Sequence, residues 1–152
     1  MITLRYVTDN DVISASIRTF EYGYWASHVE ALMIDGTLLG AHADGGVQAR
    51  LHDYDKGQFS KELYVVLPTT QAMDDKFYQF LKDQIGKPYD MRAIAALILD
   101  RDWREPSAWF CSELIMAALE YCSWIPKLAD DVTHITPRDS LLIVSSHVAL
   151  TQ

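Results

Sequence analysis

The feature that most constrains the fold is a change of hydrophobic period close to Pro68. Before it, apolar residues alternate with polar ones or form short runs between turn signals; after it, they recur at helical spacing. Residues 2–7 alternate like a strand, and Asp9, Asn10 and Asp11 supply caps for a short helix through Ile13, Ile17 and Phe20. Residues 27–34 and 37–43 read as two strands joined at Asp35 and Gly36, a hairpin turn signal. Gly45 and Gly46 mark a turn or bulge, residues 47–51 predict a further short strand, and the run 63–67 is stopped by Pro68.

Beyond that point Phe77, Phe80, Leu81 and Ile85 define a helix that opens after Thr69 and Thr70 and closes at Gly86 and Pro88. Residues 93–99 predict a second helix. A third has the strongest pattern: Cys111, Leu114, Ile115, Ala118, Leu119 and Cys122 share one face. Thr136 and Pro137 then read as an N-cap followed by proline at the first helical position, opening a last short helix or turn. Strands first and helices later predict an α+β domain spanning residues 1–152, its antiparallel sheet packed against helices.

With 152 residues, 49% of them hydrophobic, the chain is long enough for one substantial core. A formal net charge of -8 argues against nucleic acid or an anionic membrane surface as the main partner, because both attract basic patches. The start has no basic region followed by an apolar stretch, and residues 93–99 are too short a run to span a bilayer. These features predict a cytoplasmic protein without a signal peptide or an integral membrane segment; release by lysis or a dedicated secretion route is compatible with them. Cys111 and Cys122 fall in one predicted helix, roughly 16 Å apart at 1.5 Å per residue, so they predict free thiols and a reducing compartment.

Cys111 is the candidate for nucleophilic chemistry. It lies in the first turn of its helix, after Pro106 and Ser107, which can cap, and there unpaired N–H groups and the helix dipole favour a thiolate. The same position fits a small buried hydrophobe on an apolar helix face, which is also the reading of Cys122. His28 is the candidate base: it occupies a strand where a core position would carry an aliphatic residue, and a buried imidazole needs partners for both nitrogens. The base in turn needs an orienting group. If the hairpin loop holds an odd number of residues, His42 and Asp44 share the sheet face of His28; a strict two-residue loop would set Ala43 opposite His28 instead. His42 is preferred as the third residue, with Asp44 and Glu30 behind it.

In order, the chain carries a Ser27-His28-Val29 strand, a return through Leu39-Gly40-Ala41-His42-Ala43-Asp44-Gly45-Gly46-Val47, then Gly86-Lys87-Pro88-Tyr89-Asp90, then Phe110-Cys111-Ser112-Glu113-Leu114. This order resembles the circularly permuted papain-like cysteine hydrolases of the NlpC superfamily, including YiiX-like bacterial proteins and the lecithin:retinol acyltransferases. There the histidine strand precedes the cysteine helix, as here. The resemblance covers about Trp25 to Tyr121. It implies a papain-like fold of NlpC type with the catalytic cysteine at a helix N-terminus, Cys111 as nucleophile, His28 as base and His42 as the polar third residue. It also implies that Tyr89 binds substrate or hydrogen-bonds the oxyanion, and that Glu113 is a structural acid tying its helix to a neighbouring segment.

The expected activity is therefore that of a cysteine peptidase or amidase without a cofactor, acting through a thioester on a peptide, cell-wall or small acyl substrate. Trp25 and Trp109, with Tyr22 and Tyr24, are candidates for the substrate groove or for a partner surface. Three alternatives stand beside this reading: a lipid acyltransferase or thioesterase of the same fold, a non-catalytic binding or assembly module, and a zinc hydrolase with His28, His42 and Cys111 as ligands. Nothing in the residues separates peptide from lipid or sets the oligomeric state. Bacterial and bacteriophage members share the small format.

Overall fold

The computed structural model describes residues 1–91, 107–128 and 132–150. The predicted helix over residues 93–99 lies outside the described residues. Five strands, β1 (Ile2–Asp9), β2 (His28–Leu32), β3 (Leu38–His42), β4 (Gly46–Arg50) and β5 (Phe59–Leu67), form one antiparallel sheet in the order β4-β3-β2-β1-β5. Among the described residues four helices accompany it: α1 (Val12–Phe20), α2 (Gln71–Gln84), α3 (Cys111–Tyr121) and α4 (Pro137–Leu150), with a 3-10 turn at Val132–His134. The α+β class with an antiparallel sheet holds as expected from the change of period.

Local chemistry explains most boundaries. The Asp11 side chain accepts from the Ser14 N–H at 2.6 Å and opens α1. Thr70 caps α2 through the Met73 N–H. At the start of α4 Thr136 and Asp139 bond reciprocally, Asp139 N–H to Thr136 Oγ1 at 3.2 Å and Thr136 N–H to Asp139 Oδ2 at 3.2 Å. That helix runs 14 residues rather than the short helix or turn expected. Its residues Leu141 to Val144 are a continuous apolar run with no 3.6-residue period, and only contact with the core decides which of them turn inward: Leu141 and Val144 are buried and Leu142 is exposed. β5 also begins earlier than the apolar run, because residues 59–62 pair with the end of β1 despite their polarity.

The core lies between the sheet and the helices. Leu4 and Tyr6 of β1, Val29 and Ala31 of β2 and Leu39 and Ala41 of β3 meet Leu114, Ile115, Ala118 and Leu119 of α3, and Phe77 and Leu81 of α2 close the layer. Tyr6 reaches through it to Ser140 of α4, with 2.9 Å between the two hydroxyls. Each fully buried large apolar side chain of this kind contributes about 1.5–3 kcal/mol.

The hairpin is the decisive local feature. The Met33 N–H donates to Thr37 O at 2.8 Å, the Gly36 N–H donates back to Met33 O, and Gly36 takes a positive φ of 83°. Residues 34–36 therefore form the loop, an odd count. Ala31 then faces Leu39 and Leu32 faces Leu38, and the same register sets Glu30 opposite Gly40 and His28 opposite His42.

Candidate active site

His28 opens β2, His42 closes β3 and Cys111 opens α3, so three elements converge at one end of the sheet. All three side chains are buried, Cys111 completely. Phe110, not Ser107, is the N-cap of α3; it offers no side-chain acceptor, and instead its own N–H donates to Glu113 Oε2 at 3.1 Å. Glu113 thus ties down the end of its own helix. Cys111 is the first helical residue, and its N–H is one of those no helix can satisfy internally.

The His28 ring stands 3.6 Å from Glu30 Oε2 and senses the Cys111 sulfur. Burial disfavours its charged form, but the Cys111 sulfur and the Glu30 carboxylate outweigh that and hold it well above the usual histidine value. His42 behaves in the opposite way. Burial and the neighbouring His28 charge push it down to about 3, so it is neutral. The two rings lie 5.0 Å apart between centroids.

Between the histidines stands Glu30. Its Oε2 is 3.6 Å from His28 Nε2 and 3.7 Å from His42 Nε2, while Oε1 accepts from Arg5 at 2.6 Å. Tyr54 donates its hydroxyl to Oε2 at 3.3 Å. Burial opposes the charge on Glu30, yet His28, His42 and Arg5 together lower its carboxyl to about 2. Gly40 makes the room: a Cβ there would stand 2.9 Å from the Glu30 Cβ.

Of the three candidates for orienting His28, Glu30 is therefore the one whose carboxylate reaches it. His42 shares the sheet face as expected; its Nε2 and that of His28 both face this carboxylate and neither has a hydrogen-bond partner. Asp44 is exposed and bonded to Arg50 at 2.5 Å. The supports for Glu30, namely Arg5, Tyr54 and Gly40, escaped the sequence reading. A trace was present, since Arg5 and Glu30 are opposite charges inside two predicted strands.

Tyr89 approaches from a separate segment. Its backbone bridges to Trp109 beside the start of α3, held by the Trp109 N–H to Pro88 O and the Asp90 N–H to Trp109 O, each 3.0 Å. Its ring packs 5.8 Å from Phe110 between centroids. Burial first, then the Cys111 charge, push its hydroxyl far above the usual tyrosine range, so the proton stays available to donate. The docking of this segment needs Gly46, whose positive φ of 73° and missing Cβ admit Lys87 O, 2.2 Å from where that Cβ would stand.

A cleft of about 620 Å³ opens on the site, lined by His28, His42, Tyr89, Tyr54, Ile13 and Ile17 among others. Asp9, Asp11, Asp44 and Asp55 contribute four carboxylates to its lining, against one guanidinium, Arg50. Cys111 is not among the described lining residues. Trp25 and Trp109 are not among them either. Trp25 carries Lys61 over its ring, and Trp109 donates its indole N–H to Gln84 and packs on Phe80.

Among the described residues no helix is long and apolar enough to cross a membrane. No protein-family model matches the chain, and no curated protein matches it either.

Proposed function

We propose that this chain is a cysteine hydrolase of the permuted papain-like, NlpC-type class, acting on an amide or other acyl bond through a thioester. What carries the reading is the convergence of Cys111, the first residue of α3, with His28 and Glu30, a histidine raised by the Cys111 sulfur and the Glu30 carboxylate. In this mechanism His28 holds the proton taken from Cys111, and the thiolate attacks the carbonyl carbon. The Cys111 N–H and the Tyr89 hydroxyl are the available donors for the oxyanion. His28 then gives its proton to the leaving amine or alcohol. Water, deprotonated by the same ring, hydrolyses the thioester and restores the thiol.

The cleft lining bears on the substrate. Asp9, Asp11, Asp44 and Asp55 against Arg50 give the lining a negative balance that disfavours an anionic headgroup, and Val12, Ile13 and Ile17 give it an apolar part. The acidic lining favours a peptide or amine-bearing amide as substrate. One observation favours a second reading, a non-catalytic binding module on the same architecture: Cys111 has no exposed surface.

Alkylation separates the two. For a hydrolase, Cys111 reacts with iodoacetamide near neutral pH far faster than Cys122, whose thiol burial pushes up, and His28→Ala removes the difference. Equal and slow labelling of both thiols would leave the binding module.

A further inference from the structure

His28, Glu30 and His42 each offer one ligand atom, and these atoms lie within 4.8 Å of one another. We propose that this trio is a binding site for a divalent transition ion of the zinc type, with His28 Nε2, His42 Nε2 and Glu30 Oε2 as ligands and water from the cleft in the fourth position. The spacing fits. A tetrahedral ion with bonds of about 2.0–2.1 Å sets its donors about 3.3 Å apart, and the two carboxylate-to-imidazole distances are 3.6 and 3.7 Å.

A further observation points to a ligand there. Both Nε2 atoms are buried without a hydrogen-bond partner, on side chains more than nine-tenths buried, an arrangement that costs free energy unless something fills the gap. Beside the trio, Arg5 faces Glu30, Asp55 and Glu62, three carboxylates around one guanidinium. Arg5 on Oε1 fixes the carboxylate so that Oε2 is the coordinating atom, the outer-shell arrangement metal carboxylates need. His28 and His42 line the cleft, which provides the entry path.

Cys111 is absent from this ligand set, and the consequence for it rests on the cysteine-hydrolase reading. An imidazole that binds metal through Nε2 carries its one proton on Nδ1 and has no lone pair left for the Cys111 proton. Metal and thiol chemistry at His28 thus exclude each other, and the ion is a reversible inhibitor.

The test uses the full chain, stripped with a chelator and titrated with Zn²⁺ by calorimetry and with Co²⁺ by visible absorption. One ion per chain is expected, with tetrahedral cobalt bands and no thiolate-to-cobalt charge-transfer band. His42→Ala and Glu30→Gln, each checked for folding by circular dichroism, weaken binding about 100-fold or more, by analogy with the 10–100-fold that outer-shell losses cost. Cys111→Ser binds as the parent does. If Glu30→Gln does not fold, His42→Ala alone decides. Absence of stoichiometric binding, unchanged affinity in His42→Ala, or a charge-transfer band lost in Cys111→Ser would each overturn the site. Saturating Zn²⁺ is also expected to slow Cys111 alkylation at least tenfold in the parent but not in His42→Ala. If alkylation is slow even without metal while binding follows the expected pattern, it is the hydrolase reading that fails.

Discussion

Arg5 of β1 and Glu30 of β2 face each other across the two strands at 2.6 Å, and their side chains are almost wholly shut off from solvent. The pair spends its charge on position. It fixes the carboxylate that stands between the two histidines. Removing one member of a buried pair strands the other. Arg5→Leu is therefore expected to cost about 3–5 kcal/mol, read as a lowered midpoint in urea unfolding. Arg5→Lys should recover only part of this, because an ammonium cannot reach Glu30, Asp55 and Glu62 with a planar fork.

Acid stability follows from His42 and Glu30. His42, lowered to about 3 from an ordinary 6.5, stays neutral in the fold while the unfolded chain takes up a proton, so stability falls as pH drops from 6.5 towards 3. Glu30, lowered to about 2 from 4.5, adds stability that is present above 4.5 and is lost as pH falls through its folded value. The expected slope between pH 6 and 5 is about 1 kcal/mol per pH unit from His42 alone. Unfolding curves of His42→Gln over that interval should be flatter than those of the parent; parallel curves would show that His42 titrates normally.

His28 has the opposite sign. Its raised value means that its contribution is complete below 6.5 and disappears as pH rises through the folded value. Cys111→Ser removes the sulfur charge that supports the imidazolium. Following the His28 ring protons by NMR should show a lower titration midpoint in that variant, and an unchanged midpoint would mean the ring does not sense the thiol.

Gly40→Ala inserts a methyl group 2.9 Å from the Glu30 Cβ, on a strand with no room to retreat. Overpacking of this kind costs about 1–3 kcal/mol. Because the displaced side chain is Glu30, the variant should also lose most of the fast Cys111 alkylation, measured with iodoacetamide on folded protein.

Tyr89 lines the cleft and its hydroxyl senses the Cys111 charge, which makes it the candidate gate on the way to the sulfur. Tyr89→Ala should speed the labelling of Cys111 by a bulky maleimide several-fold more than labelling by iodoacetamide. Tyr89→Phe should leave both rates close to the parent's. Equal acceleration of the two reagents in Tyr89→Ala would remove the tyrosine as a gate.

Hydrophobic period and capping residues by themselves determined the strands, α1 to α3 and the place of Cys111 in the first turn of its helix, because those signals act over a few residues. His28 and His42 stood out for the same reason: each is a polar ring in an apolar strand. Whether they share a face depended on the parity of the hairpin loop, and Asp35-Gly36 is compatible with loops of either parity until the Met33–Thr37 bond closes one of them. The place of Glu30 between the two histidines was decided only in three dimensions. It needs the guanidinium of Arg5 from β1, the hydroxyl of Tyr54 from the segment between β4 and β5, and the gap left by Gly40, and burial is what turns those contacts between distant parts of the chain into a fixed carboxylate.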